Sequence, residues 1–370
     1  MQSFILQGFT KFIGNISKTN YITKKGNQNM KKIILSTVAS IVLASNMIAS
    51  NGLDKVKAFE LEHATKLHEQ AEILKDLASH YAADVKKHGG YYNLWKDEKE
   101  DVISDIAAMK AAWISASSSY EIIEGIVAGM PQTVKYDLIL DAGIPASEGD
   151  EDVAPHNLKC ADGTIIKRPG NFFHNLLEPT LWGTNSKYVA KKVDLNGDGV
   201  ISKGETMPDA KWLSCIATNF DKNVDDLLND VSNLNLTLTD VFTAELTMVP
   251  TMGDYFEDWK NGKILGESEA FIALSRIFDI KGISGGLKVA YMTAISPELA
   301  KVDKKLDDRI KLAFFDLVSF VDDIYMDEQA GKKFTPEDAD AYAGQAQDMA
   351  DKLSALIAKA AKKLHLKPNI

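Results

Sequence analysis

SPELAKVDKKLDDRIKLAFFDLVSFVDDI, residues 296–324, is the stretch on which the fold class turns. Ile310, Phe314, Leu317, Val321 and Ile324 recur at spacings of four and three, which lays one apolar stripe along a helix and leaves charged residues on the other faces. Ser296-Pro297-Glu298 reads as its start, a capping hydroxyl before a proline whose missing N–H costs nothing in the first turn. Thr335-Pro336-Glu337 repeats that signature, and Met349, Leu353, Leu356, Ala360 and Leu364 then give a second stripe. Working outward, helices are expected over residues 53–88, ended by Gly89-Gly90, and over 97–129, 132–142, 209–234 and 239–260. Residues 143–170 lose the pattern among Pro, Gly and acids and read as a long surface loop. No segment alternates well enough to be a strand. The expected fold is all-α, packed helical bundles interrupted by that loop.

The chain has 370 residues, enough for one large helical domain or two packed subdomains. MKKIILSTVASIVLASNMIAS, residues 30–50, has the charged start, apolar stretch and small residues of a secretory signal. Residues 1–29 are basic, contain no acid and precede this better initiator, so they read as an upstream over-translation, and the helical domain as 51–370. The mature part would carry 36 bases against 52 acids, a net charge of −16 that repels nucleic acid. The signal is too short to persist as a membrane span, so no transmembrane segment is expected in the mature chain. The expected location is the periplasm or the outer-membrane surface. Two cysteines, Cys160 and Cys215, exclude cysteine-rich metal clusters, and export would place them where a disulfide can form, with two buried thiols as the alternative.

DLNGDGVISKGE, residues 194–205, matches the EF-hand calcium loop: Asp194, Asn196 and Asp198 at positions one, three and five, Gly199 at six, Ser202 at nine and Glu205 at twelve. Val200 would add its carbonyl oxygen, and Ile201 would pack on neighbouring helices. No second loop accompanies it, and Pro208 stands where an exiting helix would continue. The expected role is therefore a calcium staple, filled outside the cytoplasm.

Just upstream, GNFFHNLLEPTLWG places His174 and Glu178 four residues apart, one face of a helix, with chemistry suited to iron or zinc if other helices supply further ligands. A polar pair lining a helix is the bland alternative, and Pro179 removes a helical bond within the segment. This passage is similar to the GxHxxE segment running into Leu-Trp-Gly of the imelysin-like family of bacterial envelope proteins. AAWISASSSYEIIEG, residues 111–125, resembles that family's Ala-Trp followed by an aromatic residue and a glutamate, here Tyr120 and Glu124. Aligned on Leu181-Trp182-Gly183, the family glutamate falls on Glu178 but its histidine on Asn175, one residue from His174.

The resemblance implies two related bundles with the histidine segment near their junction, and iron or other transition-metal handling at the cell envelope. Glu124, His174 and Glu178 would be the contacts, oriented by Tyr120. Metallopeptidase activity is the alternative it implies, with no catalytic residue assigned. No HExxH pair occurs; HEQAE at His68–Glu72 lacks the second histidine. A third reading is a calcium-stabilised envelope protein that works through a protein partner.

Overall fold

The computed structural model describes residues 52–266 and 270–370. The expected over-translation and signal segment lie outside the described residues.

The chain folds into helices α1 (Gly52–Lys87), α2 (Tyr91–Asp97), α3 (Lys99–Val127), α4 (Val134–Leu140), α5 (Glu178–Leu181), α6 (Ala210–Asn233), α7 (Leu238–Met248), α8 (Met252–Trp259), α9 (Arg276–Ala290), α10 (Ser296–Gln329) and α11 (Pro336–Lys363). Two cores form. One gathers Leu67, Leu74, Trp113, Phe173, Phe220 and Leu227 between α1, α3 and α6. The other gathers Phe242, Phe256, Ile283, Phe314, Leu353 and Ile357 between α7 and α11. The all-α expectation holds, and among the described residues no helix is long and apolar enough to cross a membrane.

Among the described residues, four short strands correct the expectation of none. β1 (Asn157–Lys159) pairs antiparallel with β2 (Ile165–Lys167) inside the 143–170 loop. β3 (Val189–Lys192) pairs antiparallel with β4 (Thr206–Pro208) on either side of the 194–205 loop. Strands of three or four residues are too short to display an alternation. The first hairpin is tied to the helices by a Cys160–Cys215 disulfide that closes a 55-residue separation onto α6. Replacing both cysteines by serine should cost about 2–4 kcal/mol, read as a lower denaturation midpoint. An unchanged midpoint would mean that the hairpin is held without the bond.

The 296–324 stripe is buried as expected, from Ile310 to Ile324. Its start is different. Ser296 makes no cap, because the chain runs continuously from α9 through a π-turn at Tyr291–Ile295. The backbone breaks instead at Asp303 (φ −149°, ψ 78°), whose carboxylate accepts the Leu306 N–H at 3.1 Å. Asp303 is thus the working N-cap of the bundle helix. Thr335 does cap α11, in a reciprocal box with Asp338. Along α11 the buried seam is Ala346, Ala350, Leu353, Ile357 and Ala360, rotated one position from Met349 and Leu356, which are half-buried. Small alanines face the core here because α11 packs closely, a feature that a hydrophobicity count undervalues. The expected 239–260 helix breaks at Val249–Thr251, where Pro250 lacks the N–H needed to continue.

The bundles meet where the end of α3 crosses α9. A Cβ at Gly286 would overlap the Ile122 carbonyl oxygen, so glycine sets how closely the two backbones approach. That crossing brings carboxylates of α3 against residues of α9.

Candidate metal centre

The two sequence passages pack on each other. Trp113 meets Phe173 and Trp182 edge-on at 6.0 and 5.2 Å, and Tyr120 lies 5.8 Å from Phe173. Gly183 has φ +61°, and a side chain there would strike Thr206, so the Leu-Trp-Gly turn closes directly onto β4.

Phe172–Leu177 is a π-turn, with the Glu178 N–H bonded back to the Phe173 carbonyl. A π-turn holds one residue more than an α-turn, and such bulges recur at functional sites. The extra residue between His174 and Glu178 is absorbed there, which explains the one-position departure of the motif. The imidazole and carboxylate still meet, Nδ1 to Oε2 at 3.1 Å. Pro179 follows the bulge in the first turn of α5, where its missing N–H is tolerated.

Glu178 does more than hold the histidine. Its two oxygens also accept the N–H groups of Phe271, Ile272 and Ala273 at 3.0, 2.7 and 2.9 Å. Phe271 adopts φ +58° and lies 4.3 Å from the His174 ring, covering it. With its capacity filled in this way, Glu178 acts as the orienting carboxylate, holding the Nδ1 side of the imidazole in place. The other ring nitrogen, Nε2, lies 2.9 Å from Asp141 Oδ1 but out of hydrogen-bond alignment.

Asp141 caps the end of α4, and its second oxygen stands 3.5 Å from Arg276 of α9. Arg276 also reaches Asp279 at 3.2 Å and lies under the Tyr255 ring at 4.4 Å. From α3 come Glu121, with neither oxygen hydrogen-bonded, and Glu124, which accepts the Tyr255 hydroxyl at 2.8 Å. Tyr120 points elsewhere, donating to Asp137 at 2.8 Å. Glu121, Asp141 and His174 offer three donor atoms within 4.8 Å of one another, all buried. Of the sequence candidates, His174 is in this group, Glu178 and Glu124 border it, and Tyr120 touches it only through Asp137.

The electrostatics are unusual for a helical core. Glu121, Glu124, Asp137, Asp141, Glu178 and Asp279 are buried with one guanidinium and one imidazole. Burial, and then the neighbouring carboxylates, push Glu121 and Asp137 well above the ordinary range, and burial raises Asp279 to about 7 against the pull of Arg276. Burial opposes charge on Asp141 too, yet His174 and Arg276 beside it hold its carboxyl below its usual value. Burial likewise disfavours the imidazolium, but Asp141 and Glu178 raise His174 to about 10. Such a surplus of buried carboxyls with unfilled hydrogen-bonding capacity suits a di- or trivalent cation, and one imidazole with carboxylates and no thiolate suits iron or zinc.

A cavity of about 860 Å³ reaches His174 from solvent and is lined by Lys167, Arg168, Lys187, Tyr188 and Trp212.

Around 194–205 the Asp194, Asp198 and Glu205 oxygens also gather within 4.8 Å. Asp194 accepts the Gly197 and Gly199 N–H groups at 2.7 and 3.0 Å, Asn196 accepts that of Asp198 at 2.8 Å, and Gly199 has φ +83°. Ser202 donates to Glu205 from its hydroxyl at 2.9 Å, and Val200 is exposed with its N–H on Asp198. Ile201 is 51% exposed, which corrects the expectation that it packs on helices. Strands replace the flanking helices of an EF-hand, and the anchor is instead Lys110 of α3, whose ammonium donates to the Gly204 carbonyl at 2.7 Å.

The family model described as Imelysin (Peptidase_M75) matches residues 60–360, and the chain belongs to the imelysin family. No curated protein matches it.

Asp141, Arg276 and Asp279 were not legible in sequence, since they come from separate elements with no shared motif. Glu121 carried a signal: it stands three residues before Glu124, on the same helical face.

Proposed function

We propose that this is an exported metal-binding protein that captures iron, or another transition metal, at the cell envelope through Glu121, Asp141 and His174. The supporting observation is that Glu121, Asp141 and His174 bring three buried donor atoms within 4.8 Å of one another, with neither Glu121 oxygen hydrogen-bonded. Glu178 orients the histidine, and Glu124 lines the centre. The basic rim of the adjoining cavity favours iron carried in an anionic complex over the bare aqueous ion. Binding is favoured over peptidase action because the sequence holds no HExxH pair and the donor atoms are buried, with Phe271 against the His174 ring.

Calorimetric titration with ferrous iron tests this. Glu121→Gln should weaken binding by about 100-fold or more, since it removes a ligand rather than an outer partner. Melting should barely change, because the Glu121 carboxyl is held neutral without the ion. Unaltered affinity would remove the centre as the binding site.

The 194–205 loop is proposed to hold calcium through Asp194, Asn196, Asp198, Ser202, Glu205 and the Val200 carbonyl. Calcium at a hundredfold excess over its dissociation constant would contribute about 2.7 kcal/mol to stability. Chelation should therefore lower the melting temperature of the parent and not that of Asp194→Ala. Equal responses would exclude the staple.

A further inference from the structure

A second group of metal-ligating side chains lies at the far end of the first bundle, beyond the reading above. His80 and Asp84 are one turn apart on α1, and Asp105 faces them from α3. His80 Nδ1 stands 3.5 Å from Asp84 Oδ2 and 3.5 Å from Asp105 Oδ2. The separation is too long for a good hydrogen bond. It is close to the roughly 3.4 Å that separates two ligands of a tetrahedral zinc ion bound at about 2.0–2.1 Å. The three donors surround one side of a 240 Å³ cavity whose wall also carries His88, Glu98 and Asp101. His88 on that wall is partly buried, with Nδ1 3.7 Å from Asp97 and Nε2 4.0 Å from Glu98 and no hydrogen bond to Nε2. Lys87, the ammonium in this cavity, stays 3.9 Å from Asp84 Oδ1 and does not occupy the cluster.

His68, Glu72 and Asp221 form a contrasting group. Those donors also gather within 4.8 Å, but Lys75 already binds Asp221 at 2.7 Å and supplies the positive charge. At the His80 group the corresponding ammonium, Lys87, stands farther off, 3.9 Å from Asp84. From Asp105 to Glu121 is sixteen residues of one helix, roughly 24 Å, so the two centres are separate.

We propose that His80, Asp84 and Asp105 form a second, solvent-accessible site for a borderline divalent metal of the zinc class, with a fourth ligand from the cavity wall or water. An ion there joins the end of α1 to the start of α3 across the short α2, closing the N-terminal helical hairpin. It does not depend on the buried centre.

The test is titration of the full chain, calcium present, with zinc by calorimetry and with cobalt by visible absorption. His174→Ala serves as the control for the buried centre. The expected result is one zinc equivalent that persists in His174→Ala and is lost, or weakened at least about tenfold, in both His80→Ala and Asp105→Asn, with the cobalt band of a low-symmetry site following the same pattern. His80 is 65% exposed, so its removal leaves folding intact, which circular dichroism verifies. Zinc binding absent from the parent, or unchanged in the two variants, would overturn the proposal. So would loss of that equivalent only in His174→Ala.

Discussion

Asp141→Ala is expected to destabilise the protein by about 3–5 kcal/mol, the cost of breaking a buried ion pair by removing one partner. The carboxylate lies between His174 Nε2 at 2.9 Å and Arg276 at 3.5 Å and is almost fully buried. It is held charged by those neighbours while Glu121, Glu124 and Asp137 are pushed toward the neutral form. Removing it therefore takes away the counter-charge shared by two buried cations, whereas Glu121→Gln exchanges one neutral group for another. Denaturant unfolding distinguishes them. Asp141→Ala should shift the midpoint strongly at unchanged slope, and Glu121→Gln should shift it little. Equal midpoints would mean that the charge assignment within the cluster is wrong.

Glu60→Gln should do the reverse and stabilise the protein at alkaline pH. Glu60 of α1 is fully buried with neither oxygen hydrogen-bonded, and burial raises its carboxyl to about 8 despite the partial relief of Lys57. With the folded value above the unfolded one of about 4.5, the folded state keeps a proton that the unfolded chain has released. Stability is thus lost as pH rises from about 4.5 through about 8, and the loss is complete above that. Glutamine has no such dependence. The advantage of the variant should be smallest below pH 4 and grow by on the order of 4–5 kcal/mol by pH 9. A difference between the two proteins that stays constant with pH would contradict this.

Much of the helical scaffold was legible because the stripes of α10 and the breaks at Gly89-Gly90 and Thr335-Pro336 are local signals. What escaped was whatever depends on contacts from afar. Ser296-Pro297 has the form of a helix start, yet packing carries α9 through it by way of a π-turn, and Asp303 becomes the cap. The histidine motif was legible in composition but out of register by one, since a bulge that only backbone geometry reveals restores the contact with Glu178. The centre itself was half legible: His174 and the glutamates of α3 lie in recognisable passages, while Asp141 and Arg276 arrive from α4 and α9 through tertiary packing alone.

The proposed function requires a cation held between His174 Nε2, Asp141 and Glu121, and locating it is the direct measurement. A crystal grown with iron and recorded above and below the iron absorption edge should give an anomalous peak at that point, with Nδ1 of His174 still on Glu178. An iron peak found elsewhere, with the His174–Asp141 contact intact, would contradict the account.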